Sequence, residues 1–109
     1  RFTAEITVEA QELDELGMVI DFGLIRQLVG GWVDKFWDHQ LLLNQQDPQL
    51  QHLLKTEEQT PYVMAYGNPT SENMAHELYD IAVSLLPMSM RVVKVRIWET
   101  PSCYAEYFT

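Results

Sequence analysis

Residues 2–10, Phe-Thr-Ala-Glu-Ile-Thr-Val-Glu-Ala, alternate with period two, so that Phe2, Ala4, Ile6, Val8 and Ala10 share one side and Thr3, Glu5, Thr7 and Glu9 the other. This is the pattern of an antiparallel strand with one face buried and one wet. A chain that opens this way must cover that apolar face, and the next periodic segment is suited to do so. Leu24, Leu28, Trp32 and Phe36, with Ile25, Val29, Val33 and Trp37 beside them, recur at helical spacing and predict a helix over 22–37 lying on a sheet. Gly17 marks a turn before it, and Asp21 is placed to cap its N-terminus. Gly30-Gly31 in its middle costs about 1 kcal/mol per glycine relative to alanine, so close packing against a neighbouring backbone, or else a kink, is expected there.

Residues 38–60 are mostly hydrophilic and read as a loop with one short helix around Leu50, Leu53 and Leu54. Tyr62 to Tyr66 predicts a short strand closed by Gly67-Asn68-Pro69. Thr70 or Ser71 then caps a helix carrying Met74, Leu78, Ile81, Ala82 and Leu85, which Pro87 ends. From Arg91 a strand with Val93, Val95 and Ile97 facing the core leads through the turn Thr100-Pro101-Ser102 into a second strand, Tyr104 to Phe108, the two pairing as a hairpin. Strands in antiparallel order with two long helices define an α+β fold, an antiparallel sheet with two helices packed on one face. At 109 residues this is one domain.

Composition narrows the function. Sixteen acidic against seven basic residues give a formal net charge of -9, which opposes binding to a phosphate backbone and excludes nucleic acid as a natural partner. No apolar run reaches the ~20 residues that cross a bilayer, so no membrane partner is expected. The single cysteine, Cys103, cannot close a disulfide within the chain and suits a reducing cytoplasm. It has no His or Lys beside it in sequence and reads as a small apolar filler.

Two positions carry chemistry. Asp38-His39 directly follows the first helix, where a carboxylate holding one ring N–H would fix the imidazole tautomer and raise the basicity of the other nitrogen. The same pair also suits a plain helix C-terminal cap. Glu99 ends an apolar strand, where it is either a solvated strand end or a pocket carboxylate able to accept two N–H bonds from a planar heterocycle. His52 and His76 lack partners at ligand spacing and read as surface or rim side chains.

Four strings occur in order: Gly17-Met18-Val19-Ile20-Asp21-Phe22; Asp38-His39 with Leu43-Asn44 after it; Asn68-Pro69-Thr70-Ser71-Glu72-Asn73-Met74-Ala75; and Trp98-Glu99-Thr100-Pro101. In this order they resemble the 6-pyruvoyltetrahydropterin synthase family, and more closely its bacterial 6-carboxytetrahydropterin synthase branch, which serves queuosine biosynthesis. The resemblance implies a tunnelling fold, a four-stranded antiparallel sheet with two helices on one face, assembled as trimers that stack into a hexamer with the active site at a subunit interface. It implies a lyase acting on the pterin 7,8-dihydroneopterin triphosphate, to give 6-carboxy-5,6,7,8-tetrahydropterin or 6-pyruvoyltetrahydropterin. Asp38 and His39 would then move protons, Glu99 would anchor the pterin ring, and Thr70 and Ser71 would contact it. Basic residues of this chain or a neighbouring subunit would line the path of the phosphates. The family's zinc is held by three histidines, one on the first strand and two in a His-Gly-His string, with the catalytic cysteine between them. Arg1-Phe2-Thr3 resembles the residues directly after that His-Gly-His string, so the zinc ligands are expected upstream of Arg1, with 1–109 a single tunnelling-fold domain lacking its first strand. The alternatives are a non-catalytic oligomer of this fold that binds a pterin or purine, and an acidic interaction domain with no ligand.

Overall fold

In a computed structural model, which describes residues 2–10, 22–56 and 61–109, the alternating run forms strand β1 (Thr3–Ala10), paired antiparallel with β4 (Met90–Thr100). β4 pairs in turn with β5 (Cys103–Phe108), giving an antiparallel sheet in the order β1-β4-β5. Asp21, Gly17 and the string through Ile20 lie outside the described residues.

The first helix runs as three joined pieces, α1 (Phe22–Ile25), a π-helical turn over Arg26–Gly30, and α2 (Gly31–Phe36). Helical dihedrals at Ile25, Gly30 and Gly31 keep the path continuous. The glycine pair does not mark a close backbone approach: a Cβ on Gly31 would meet nothing within 4 Å, and one on Gly30 would meet the Arg26 side chain at 3.7 Å. The pair sits instead where the wide turn rejoins the α-helix, with the Gly31 N–H directed at the carbonyls of Arg26 and Leu28. An irregular helix, not tight packing, is what the two glycines accompany.

Within 38–60, α3 (Pro48–Thr56) is the expected short helix, and β2 (Leu42–Asn44) is a strand that the run Leu41-Leu42-Leu43 did not announce. β2 pairs parallel with β3 (Tyr62–Met64) in a separate two-stranded sheet. The strand at 62–64 is therefore not a member of the antiparallel sheet. It ends at Met64, because Ala65 and Tyr66 turn away to meet α4.

Helix α4 (Ser71–Leu85) begins at an N-cap, Thr70, whose hydroxyl accepts the Asn73 N–H at 3.2 Å. This cap satisfies one of the orphan donors of the first turn. α4 lies on β4 and β5 and touches the π-turn, so the helices cover one face of the sheet. Between them Val29, Met64, Met74, Ala75, Leu78, Ala82, Val92, Val95 and Ile97 form the core. β4 faces that core with Val92, Val95 and Ile97, not Val93. The register slips between Thr7 and Val8, leaving Val93 without a partner on β1, and this bulge moves the apolar alternation by one residue. Cys103 is exposed at the start of β5, so it fills no core space.

Candidate functional site

Helix α2 stops because Trp37 and Asp38 both donate their N–H groups to the Val33 carbonyl, at 2.8 and 2.9 Å. His39 follows with φ 58°, the left-handed region that L side chains enter reluctantly and histidine more readily than most. The turn projects both side chains off the helix end. Nδ1 of His39 lies 3.0 Å from Oδ2 of Asp38, with the side chains 90% and 55% exposed. The expected acid–imidazole contact is therefore formed.

Asp38 and His39 line a cavity of about 640 Å³ together with Asp34, Trp37, Pro69 and Ile97. Asp34, on α2, was not singled out from the sequence. Among the described residues, no Lys or Arg lines this cavity. Pro69 brings the Asn68-Pro69-Thr70-Ser71 string to the wall, but Thr70 and Ser71 do not line it. The Thr70 hydroxyl is committed to the helix cap and Ser71 is buried at the start of α4.

Glu99 sits elsewhere. It is exposed and occupies a second bulge of β4, where Trp98 pairs with Tyr104 and Thr100 with Cys103, leaving Glu99 unopposed. It lines a cavity of about 550 Å³ with Thr3, Glu5, Trp98, Thr100 and Pro101. The alternation of β1 shows the relation of the two cavities: Phe2 and Ala4 line the first, Thr3 and Glu5 the second. They open on opposite faces of the sheet, so a single protomer does not bring Glu99 and the Asp38–His39 pair together. The Trp98 indole N–H donates to Glu5 at 2.8 Å, orienting one wall of the Glu99 cavity.

Behind the first cavity Trp37 packs edge-on to Trp32 and Tyr62. Burial, reinforced by its hydrogen bond to the Glu77 carboxylate, pushes the Tyr62 phenol well above its usual range. The nearby Trp37 indole offsets a little of that shift, although among the described residues its buried N–H makes no hydrogen bond of normal geometry. Among the described residues, no three His, Cys, Asp or Glu side chains come together to hold a metal. His52 is exposed, and His76 lies at the rim, stacked between Tyr66 and Tyr107 with ring centroids at 3.8 and 4.0 Å.

Comparison with known proteins decides the family. The profile of 6-pyruvoyl tetrahydropterin synthase matches residues 1–109. The chain belongs to that family. It is 39% identical, over 97% of its length and 78% of the relative's, to the 6-carboxy-5,6,7,8-tetrahydropterin synthase of Rickettsia bellii. It is 29% identical to the protein of the same name from Aquifex aeolicus, over 97% of this chain and 70% of the other. A solved structure of an uncharacterized protein from Wolinella succinogenes superposes with a TM-score of 0.77, at 24% identity over 98% of this chain and 76% of that one, and supports the fold. This 6-pyruvoyl tetrahydropterin synthase family member is thus a mixed helix-and-strand protein with an antiparallel sheet, and among its described residues no helix is long and apolar enough to cross a membrane.

Proposed function

We propose that this chain is a pterin-converting lyase of the 6-carboxytetrahydropterin branch, acting on 7,8-dihydroneopterin triphosphate in the cytoplasm and supplying the queuosine precursor pathway. The observation that carries the reading is the Asp38–His39 contact at the lip of a cavity, in a chain whose relatives are named for that product. With the His39 Nδ1 proton held toward Asp38, Nε2 is the basic nitrogen and can take a proton from the substrate side chain before triphosphate leaves. Glu99 supplies a carboxylate that accepts two ring N–H bonds and fixes the pterin relative to that base.

Since the sheet separates these groups within one protomer, the reading calls for a homo-oligomer, a trimer or hexamer, whose sites form between subunits. That arrangement also lets basic side chains of a neighbouring subunit meet the triphosphate, since among the described residues the first cavity is lined by no Lys or Arg. Zinc enters as part of the proposal on the strength of the family resemblance. The described residues do not come together to hold it.

The test is incubation of the purified protein with 7,8-dihydroneopterin triphosphate, mass identification of the product, and metal analysis of the same sample. A 6-carboxytetrahydropterin product is expected. Release of 6-pyruvoyltetrahydropterin would move the chain to the other branch, and pterin binding without turnover would leave a non-catalytic binder.

A further inference from the structure

Glu77 is a carboxylate in the core of the second helix, 3% exposed. Burying such a group is costly unless its oxygens are satisfied. Here Oε2 accepts the Tyr62 hydroxyl of β3, and Oε1 accepts the backbone N–H groups of Ala65 at 2.7 Å and Tyr66 at 3.3 Å. All three donors belong to β3 and the turn after it. That turn continues through Gly67, whose φ of 100° favours glycine, into Asn68 and Pro69. Asn68 is tied on both sides: its Oδ1 accepts from Asn44 Nδ2 of β2 at 2.9 Å, and its carbonyl accepts from Asn73 Nδ2 of α4 at 3.0 Å. Pro69 then forms part of the wall of the Asp38–His39 cavity.

The helix therefore holds its own lead-in at two points, by Glu77 at the start of the turn and by Asn73 and the Thr70 cap at its end. We infer that Glu77 is a positioning residue, a buried latch that fixes the 65–69 turn and so places the Pro69 wall of the cavity; this rests on the pterin-lyase reading of that cavity. It touches no substrate. A surface loop tied only to water would sample several placements, and in a site shared between subunits a ring anchored across the interface would bind less tightly to a wall that wanders, while the Asp38–His39 contact stays in place.

The geometry distinguishes substitutions. Glu77→Gln keeps Oε1 for the two backbone N–H groups and presents its amide to the Tyr62 oxygen, so it preserves the latch. Glu77→Ala removes it, and Glu77→Asp keeps the charge but falls one methylene short of spanning Tyr62 and the turn together. Two readouts on each variant test this: amide hydrogen exchange at Ala65 and Tyr66, with Val95 and Ile97 as core references, and KM against kcat for 7,8-dihydroneopterin triphosphate.

For Glu77→Ala, exchange at Ala65 and Tyr66 is expected to rise at least about 100-fold with the core references unchanged. KM should rise about tenfold while kcat per folded molecule stays within about threefold. Glu77→Gln should return both to within about twofold of wild type, and Glu77→Asp, which serves if the alanine variant does not fold, should fall between. Unchanged exchange at 65–66 overturns the latch. Faster exchange with unchanged KM, or a loss confined to the fraction folded, overturns the positioning role. A wild-type protein that does not turn over this substrate defeats the functional reading instead, and the exchange arm still decides the latch.

Discussion

The two faces of the sheet each carry a cavity with a carboxylate at its edge, and they are built differently. On the helix side, Asp38 and His39 stand at the end of a helix, backed by Trp37, Trp32 and Tyr62 in edge-to-face contact. On the open side, Glu99 stands on a bulge of β4 among Thr3, Glu5 and Trp98. The first places a titratable pair against a rigid aromatic wall, as proton transfer requires. The second offers a carboxylate freed from strand pairing, as recognition of a planar ring requires. On the proposed function, a single chain supplies the two halves of one chemistry without joining them.

The sharpest way to break this division is to remove one half at a time. His39→Ala should lower kcat by about 10²- to 10⁴-fold, the usual worth of a general acid–base group, and leave the pterin Kd within a few-fold. Single-turnover kinetics with equilibrium binding measures both. Glu99→Ala should act the other way, raising Kd by about 100-fold or more through the loss of two charge-assisted hydrogen bonds. Equal loss of binding in both variants would erase the distinction between the cavities.

Mixing the two inactive variants sharpens the comparison further. If a site takes its base from one subunit and its pterin anchor from another, equal mixing of His39→Ala and Glu99→Ala subunits, unfolded and reassembled together, should recover about a quarter of wild-type activity, the share of interfaces with both groups intact. A mixture as inactive as its components would place both groups in one protomer's site and contradict the separation by the sheet.

How far the sequence discloses this arrangement depends on how local each signal is. β1, α4 and the β4–β5 hairpin declare themselves through period or turn chemistry, and Thr70 through its capping position. The Asp38–His39 contact is legible because the residues are neighbours. β2 is not, since three successive leucines have no period and the pairing with β3 is made across 20 residues. The bulges at Val93 and Glu99 are decided by register against the neighbouring strands, so the sequence wrongly turns Val93 inward and leaves Glu99's exposure open. Family strings point to Thr70 and Ser71 as ligand contacts; the fold uses the Thr70 hydroxyl as a helix cap and buries Ser71. Glu77 could have been noticed, since it lies three residues after Met74 and four before Ile81 on the helix's apolar side. Its partners, donated from β3 and the turn, could not.

The smallest expected effect tests whether the open face is all one site. Arg96 holds Glu106 through Nε at 2.7 Å and through a second guanidinium nitrogen, with Lys94 at 3.6 Å, and Arg96 also lies over the Tyr104 ring at 4.1 Å. The Arg96 hydrogen bond, against some desolvation, holds the Glu106 carboxyl below the usual carboxylate range. A depressed folded-state value means that the pairing stabilises the fold above the unfolded carboxylate pKa, and that this contribution disappears as pH falls through the folded value. Glu106→Gln should therefore lower Tm modestly at neutral pH, by an amount that shrinks to nothing as the medium is acidified past the ordinary carboxylate range, while pterin Kd stays within about twofold. Thermal melts across pH, paired with binding at neutral pH, measure both. A Tm difference that persists in acid would show that the substitution acts through packing and not through the ion pair. A large change in Kd would mean that the Arg96–Glu106 pair belongs to the Glu99 cavity, and that ring recognition extends along the whole open face of the sheet instead of resting on the bulge.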